Sequence, residues 1–147
     1  MDDIIANLSQ FVYKFKLDIY HADHNICIKE EVIFKIAVVK QDCHVEFMRV
    51  MFGLVEGPSI ISKVVKTTYG KLFNDVIRAY FDDITGGANS INDFLIILRQ
   101  VFELTRQKNL KLNQKKCIFI DIKIPLFVKL VGYKQERVYP KRTVAVE

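Results

Sequence analysis

Two neighbouring carboxylates, Asp82 and Asp83, follow the run Val76-Ile77-Arg78-Ala79-Tyr80-Phe81 and precede Ile84-Thr85-Gly86-Gly87. Apolar and β-branched residues running into two acids, with a Gly-Gly pair shortly after, predict a strand, a turn that carries the acids, and a second short strand. Successive side chains on a strand point to opposite faces, so adjacent acids normally separate. A tight turn breaks the pleat and can present both near one place. Fixed, concentrated carboxylate charge held by apolar packing suits a hard divalent cation. The same letters also describe an ordinary solvated turn, because Asp is a turn residue.

A third acid lies on an alternating segment, residues 11–19. Phe15, Leu17 and Ile19 share one face and Lys14, Lys16 and Asp18 the other. Asp18 is thus expected near the end of a half-buried strand, on its polar side, where a carboxylate is ordinarily surface. A second metal-like group is His21-Ala22-Asp23-His24 with Cys43-His44. It lacks the paired-cysteine spacing of a structural zinc site, so zinc is the weaker option.

These residues need a scaffold. Residues 3–10 predict a short helix with Ile4, Ile5 and Leu8 on one face. Residues 25–28 and 32–39 read as strands joined by Lys29-Glu30-Glu31, and residues 45–50 return as a strand after Lys40-Gln41-Asp42. Pro58 opens a helix through about Lys71, with Ile60, Ile61, Val64 and Val65 as its buried stripe. Ser90-Ile91-Asn92-Asp93 resembles a capping box, and Phe94, Leu95, Leu98, Val101, Phe102 and Thr105 then recur at helical spacing to about Asn109. Residues 117–124 and 127–133 read as a closing hairpin around Pro125. The tail, residues 134–147, is mixed. No repeat, low-complexity run or linker is visible. The expected fold class is α+β, an antiparallel sheet backed by helices.

At 147 residues the chain is one domain with room for a core. Half hydrophobic and 27% charged, it has a globular composition. A formal net charge of +5 is compatible with nucleic acid but not diagnostic. Three widely spaced cysteines, Cys27, Cys43 and Cys117, argue against a disulfide framework and for a reducing compartment. No apolar run reaches the ~18 residues of a membrane span. The acidic start Met1-Asp2-Asp3 is unlike a signal peptide. An intracellular protein is expected, cytoplasmic or nuclear, neither secreted nor in a membrane.

Four stretches together carry a resemblance. Tyr80-Phe81-Asp82-Asp83 resembles the Tyr-x-Asp-Asp box of reverse transcriptases. Leu110-Lys111-Leu112-Asn113-Gln114-Lys115-Lys116-Cys117 is similar to the Leu-Lys-Leu-Asn-Pro-Lys-Lys-Cys stretch that follows this box in the gypsy class of LTR retrotransposons. Leu17-Asp18-Ile19 with His24-Asn25-Ile26 resembles that family's Leu-Asp-Leu…Tyr-His-Gln-Ile. Val50-Met51-Phe52-Gly53-Leu54 with Gly57-Pro58 resembles its Val-Met-Pro-Phe-Gly-Leu…Ala-Pro. The order is the family's, the spacings are roughly the family's, and the match covers nearly the whole chain.

The resemblance implies a fragment, residues 1–147, of the reverse transcriptase domain of a Pol polyprotein: a polymerase palm with a partial fingers hairpin unit, without thumb or RNase H. It implies RNA-directed DNA polymerase activity by two-metal nucleotidyl transfer onto a primer 3′-hydroxyl. The cofactor would be two Mg²⁺ ions, with Mn²⁺ as substitute. Asp18 and Asp82 would be bridging ligands and Asp83 a supporting acid. Carboxylates this close repel, so without metal one should bind a proton more readily.

By the same resemblance, Ile19, Asp23, Phe52, Gly53 and Lys115 or Lys116 would face the incoming nucleotide. Pro58, Tyr80 and the Leu130-Val131-Gly132 turn would face nucleic acid. Implied partners are an RNA or DNA template with primer, deoxynucleoside triphosphates, and the fingers, thumb and RNase H segments of a larger polyprotein. Three departures stand out. Asp23 replaces the aromatic residue that gates the sugar 2′ position, the proline before Phe52 is absent, and Ile60-Ile61-Ser62 replaces Thr-Phe-Gln. They leave a second reading open, an inactive remnant kept as a nucleic-acid-binding or structural module.

Overall fold

The computed structural model describes residues 2–51, 53–72, 75–80 and 82–138. Phe52, Phe81 and residues 139–147 lie outside the described residues, as does the side chain of Asp23. In chain order the elements are α1 (Asp2–Ser9), β1 (Tyr13–Asp18), α2 (Glu30–Ile33), β2 (Val38–Lys40), β3 (Cys43–Val45), α3 (Gly57–Tyr69), β4 (Ile77–Tyr80), β5 (Asp83–Ala88), α4 (Ile91–Gln107), β6 (Ile118–Asp121), β7 (Ile124–Leu126), β8 (Lys129–Gly132) and β9 (Gln135–Val138). Short 3₁₀ turns occupy Asp23–Asn25, Phe34–Ile36 and Gly70–Leu72.

The central sheet is antiparallel with order β4-β5-β1-β6, and α3 and α4 back it. Apolar alternation builds the core: Phe15, Leu17, Ile77 and Ile84 from the strands meet Ile61, Val65 and Tyr69 of α3 and Phe94 and Val101 of α4. A satellite core joins Ile5 and Leu8 of α1 to Ile124, Leu126 and Val131 of the β7-β8-β9 sheet. The expected α+β, palm-like layering is present, with the two-stranded β2-β3 hairpin set apart from it. Among the described residues no helix is long and apolar enough to cross a membrane.

Several local expectations are corrected. Residues 32–39 are not one strand: Glu30–Ile33 is helical, Phe34–Ile36 is a 3₁₀ turn, and only Val38–Lys40 is extended. The return strand is Cys43–Val45, and Cys27 merely bridges Arg49. Valine and phenylalanine suggested a buried strand here, yet Phe34 and Val39 are exposed, so no packed face enforced one. Pro125 is not at a turn. It lies within β7, an edge strand, where a missing N–H costs no ladder bond. β6 pairs with β1 rather than with the closing hairpin, and Gln135–Val138 of the mixed tail is β9. Ser90 caps α4 without a side-chain bond, and Leu95 of its stripe is exposed.

The Gly-Gly pair sits in mid-strand. Gly86 pairs with Phe15 on one side and Ile77 on the other, and a Cβ there would come within 2.6 Å of Phe15 Cζ and 2.8 Å of the Val76 carbonyl. Close approach of β1 to β5 requires glycine at this point. Lys14, expected on a polar face, is fully buried, its ammonium donating to the carbonyls of Phe11, Val12 and Ile122. Burial pushes its pKa down, and Asp121 partly offsets that shift.

Candidate active site

Register decides which acids meet. β1 and β5 run antiparallel with Asp18 directly opposite Asp83, and the Ile19 amide donates to the Asp82 carbonyl at 3.0 Å. The turn between β4 and β5 therefore folds its acids onto the end of β1. Asp18 is only 7% exposed, a correction to its reading as a surface acid, because a return segment covers it. In that segment the Asn113 amide donates to the Asp18 carbonyl at 2.9 Å, and the Asp18 amide donates to Cys117 Sγ at 3.4 Å.

Beside these acids opens a cavity of about 810 Å³. Asp18, Asp82, Ile19, Gly53, Pro58 and Lys116 are among its lining residues. The structure thus brings together six predicted site residues from four distant stretches. Gly53 has φ +92°, a backbone that favours glycine. Pro58 lies in the first turn of α3, where its lost N–H has no helical partner to forfeit. His21, with φ +46°, and Asn113 also line the cavity and were not singled out for it in sequence. Asn113 lay inside a recognised stretch, but its role comes from backbone bonds no motif spells out.

Two lysines meet the acids. Lys16 Nζ lies 2.8 Å from Asp83 Oδ2, and Lys116 Nζ lies 3.5 Å from Asp18 Oδ2. Burial pushes the Asp83 carboxyl above its usual range; the Lys16 ammonium pulls it back, and the charges of Asp82 and Asp18 push it up further. Asp83 thus binds a proton more readily chiefly because it is buried, and the expected repulsion between carboxylates is only a minor cause. Burial likewise pushes the Cys117 thiol up, making it a packing group rather than a thiolate.

Among the described residues no three His, Cys, Asp or Glu side chains converge where one ion could sit. The His21, His24, Cys43 and His44 zinc option is therefore not assembled; the His21 and His24 rings stack instead, centroids 5.4 Å apart. The three aspartates share one corner without pointing at one spot. Their all-oxygen donor set still suits a hard cation, and two lysine ammonium groups already sit against it.

Tyr80, Leu130 and Gly132 lie outside the lining of that cavity. Tyr80 ends β4, and its ring meets Phe127 edge-on at 4.7 Å. Leu130 and Gly132 belong to strand β8 rather than to a turn; the turn is at Phe127, which has φ +57°. That contact ties the β7-β8 hairpin to the acid-bearing turn. Phe127 was missed because nothing in its own neighbourhood marks it.

The reverse transcriptase (RNA-dependent DNA polymerase) family matches residues 2–138. The chain is 31% identical over 120 residues to the retrovirus-related Pol polyprotein from transposon 297 of Drosophila melanogaster, covering 82% of this chain and 11% of that protein. It is 27% identical over 142 residues to the Pol polyprotein from transposon opus of the same organism, covering 97% of this chain and 14% of that protein. It therefore spans about a tenth to a seventh of the length of these relatives. Its fold matches the foamy viral protease-reverse transcriptase solved with an RNA/DNA hybrid, with a TM-score of 0.86 at 17% identity over 97% of this chain and 19% of that one. The same viral enzyme with double-stranded DNA gives 0.86 at 16% identity, covering 99% of this chain and 26% of that one. With its Tyr-x-Asp-Asp acids folded against Asp18 in that same architecture, the chain belongs to the reverse transcriptase family.

Proposed function

We propose that this chain is the palm, with part of the fingers, of a gypsy-like retrotransposon Pol polyprotein, and that it extends a primer 3′-hydroxyl with deoxynucleoside triphosphates on an RNA or DNA template. The observation that carries this reading is the register of Asp18 against Asp83, with Asp18 and Asp82 on one wall of the cavity. Mg²⁺ keeps several of its own waters and is commonly held by one or two carboxylates plus substrate phosphates, so the two aspartates that line the cavity, Asp18 and Asp82, are enough. Asp18 and Asp82 would hold the divalent ions, whose charge would make the 3′-hydroxyl more acidic and would stabilise the departing pyrophosphate. Mn²⁺ would serve in place of Mg²⁺.

The protein's own groups do the rest. Lys116, exposed at the cavity rim beside Asp18, is placed to swing toward the triphosphate. Gly53 leaves open space for substrate, since a Cβ there would touch nothing within 4 Å. The hairpin of Leu130 and Gly132, braced by Phe127 on Tyr80, would steady the primer end. Phe52 and Asp23 belong to the same proposed nucleotide pocket.

Primer extension on an RNA template with Mg²⁺ tests the reading. Asp82→Asn should lower extension at least about a hundredfold. Undiminished extension overturns it. A second reading is favoured by Asp23 at the sugar gate and by the lysine-paired acids: a remnant that keeps the fold as a nucleic-acid-binding module. Robust incorporation by the purified chain excludes that one.

A further inference from the structure

We propose that Lys16 is a positioning residue that holds Asp83 away from the nucleotide cavity, leaving Asp18 and Asp82 as the carboxylates available to a divalent ion. The inference rests on the reading of that cavity as the metal and nucleotide site. On β1, Lys16 and Asp18 are two residues apart and share a face; on β5, Asp83 lies directly opposite Asp18 and Thr85 opposite Lys16. Like charges facing each other across a strand pair are destabilising, and the diagonal neighbour is within reach of a long side chain. Lys16 uses that diagonal. Its ammonium sits 2.8 Å from Asp83 Oδ2, with the two side chains only 18% and 22% exposed. A charge-assisted bond so placed is short, partly desolvated and orienting.

The other pair is different in kind. Lys116 stands 3.5 Å from Asp18 and is 66% exposed, a loose contact that an incoming cation or phosphate can displace. Asp18 and Asp82 line the cavity and Asp83 does not. Two adjacent acids at one turn are thereby made unequal by a lysine on the neighbouring strand. Lys16 is fixed in place where Lys116 is free to leave.

Mn²⁺ binding to the full 147-residue chain, read from the loss of the free-ion electron paramagnetic resonance signal, tests this without any catalysis. Removing the Lys16 ammonium leaves the Asp83 charge uncompensated, a change of one charge unit a few ångströms from a divalent ion, worth about a factor of ten in affinity. Lys16→Met should bind Mn²⁺ about tenfold more tightly, and Lys16→Arg should match the wild type. In an Asp83→Asn background the gain from Lys16→Met should shrink. Where Met unfolds the chain, as circular dichroism will show, Lys16→Thr suits a strand and is read in the same titration. Unchanged affinity in Lys16→Met overturns the inference, as does an equal gain with and without Asp83, which would reflect general charge repulsion. Wild-type binding abolished by Asp18→Asn, with Lys16→Met unchanged, removes only the role of Lys16. No Mn²⁺ binding by any variant removes the metal reading and this inference with it.

Discussion

Gly86→Ala is the sharpest test of how the acids are brought together. Gly86 is in ordinary extended backbone, so alanine there would by itself be favoured by roughly 0.5–1 kcal/mol. Space reverses the sign. The added methyl would lie 2.6 Å from Phe15 Cζ and 2.8 Å from the Val76 carbonyl oxygen, about 1 Å inside normal contact. Phe15 cannot retreat, being fully buried and edge-on to Phe94 at 6.0 Å, and Val76 contributes backbone. Overpacking of this kind costs about 1–3 kcal/mol. We expect a net loss of about 1 kcal/mol, which lowers the Tm by roughly 2–4 °C for a chain of this size.

Urea unfolding followed by circular dichroism measures that loss, with the denaturant slope unchanged. Because β5 also carries Asp83, three residues away, separating it from β1 should lower primer extension as well. Phe15→Leu makes room beside the new methyl, so the double variant should be more stable than the sum of the single losses. Gly86→Ala at wild-type stability, or a strictly additive double variant, would refute the close-approach argument.

Three further outcomes are expected. Asp83 has its folded-state pKa raised, so the folded chain binds its proton more readily, and its contribution to stability declines as pH rises from about 3.8 through the folded value. Asp83→Asn should remove that slope from a plot of unfolding free energy against acidic pH. Phe127→Gly relieves a left-handed backbone strain of about 1–2 kcal/mol while losing a ring contact worth about 0.5–1.5 kcal/mol and the packing of a half-buried ring against the satellite core, worth about 1 kcal/mol. Its stability should stay within about 1 kcal/mol of wild type while extension falls; unchanged extension would separate the hairpin from the acid-bearing turn. Lys116→Met should raise the KM for deoxynucleoside triphosphates more than it lowers kcat, a split that steady-state kinetics reads directly.

The alternating and helical periods are local records of which face is buried, and they alone placed β1, α3 and α4. The ordered boxes around Asp18, Asp82–Asp83 and residues 110–117 were equally plain in the letters, and with them the family. Pairing is not local. That β6 joins β1, that Pro125 rests on an edge, and that Gly86 lies under Phe15 all depend on partners distant in the chain. Val38 and Val39 show the converse, strand-favouring residues left exposed on a hairpin that the main sheet does not use. The inequality of Asp82 and Asp83 also came only from the tertiary structure. Adjacent identical side chains look alike in sequence, and what separates them is burial and the ammonium of Lys16, both set by the neighbouring strand.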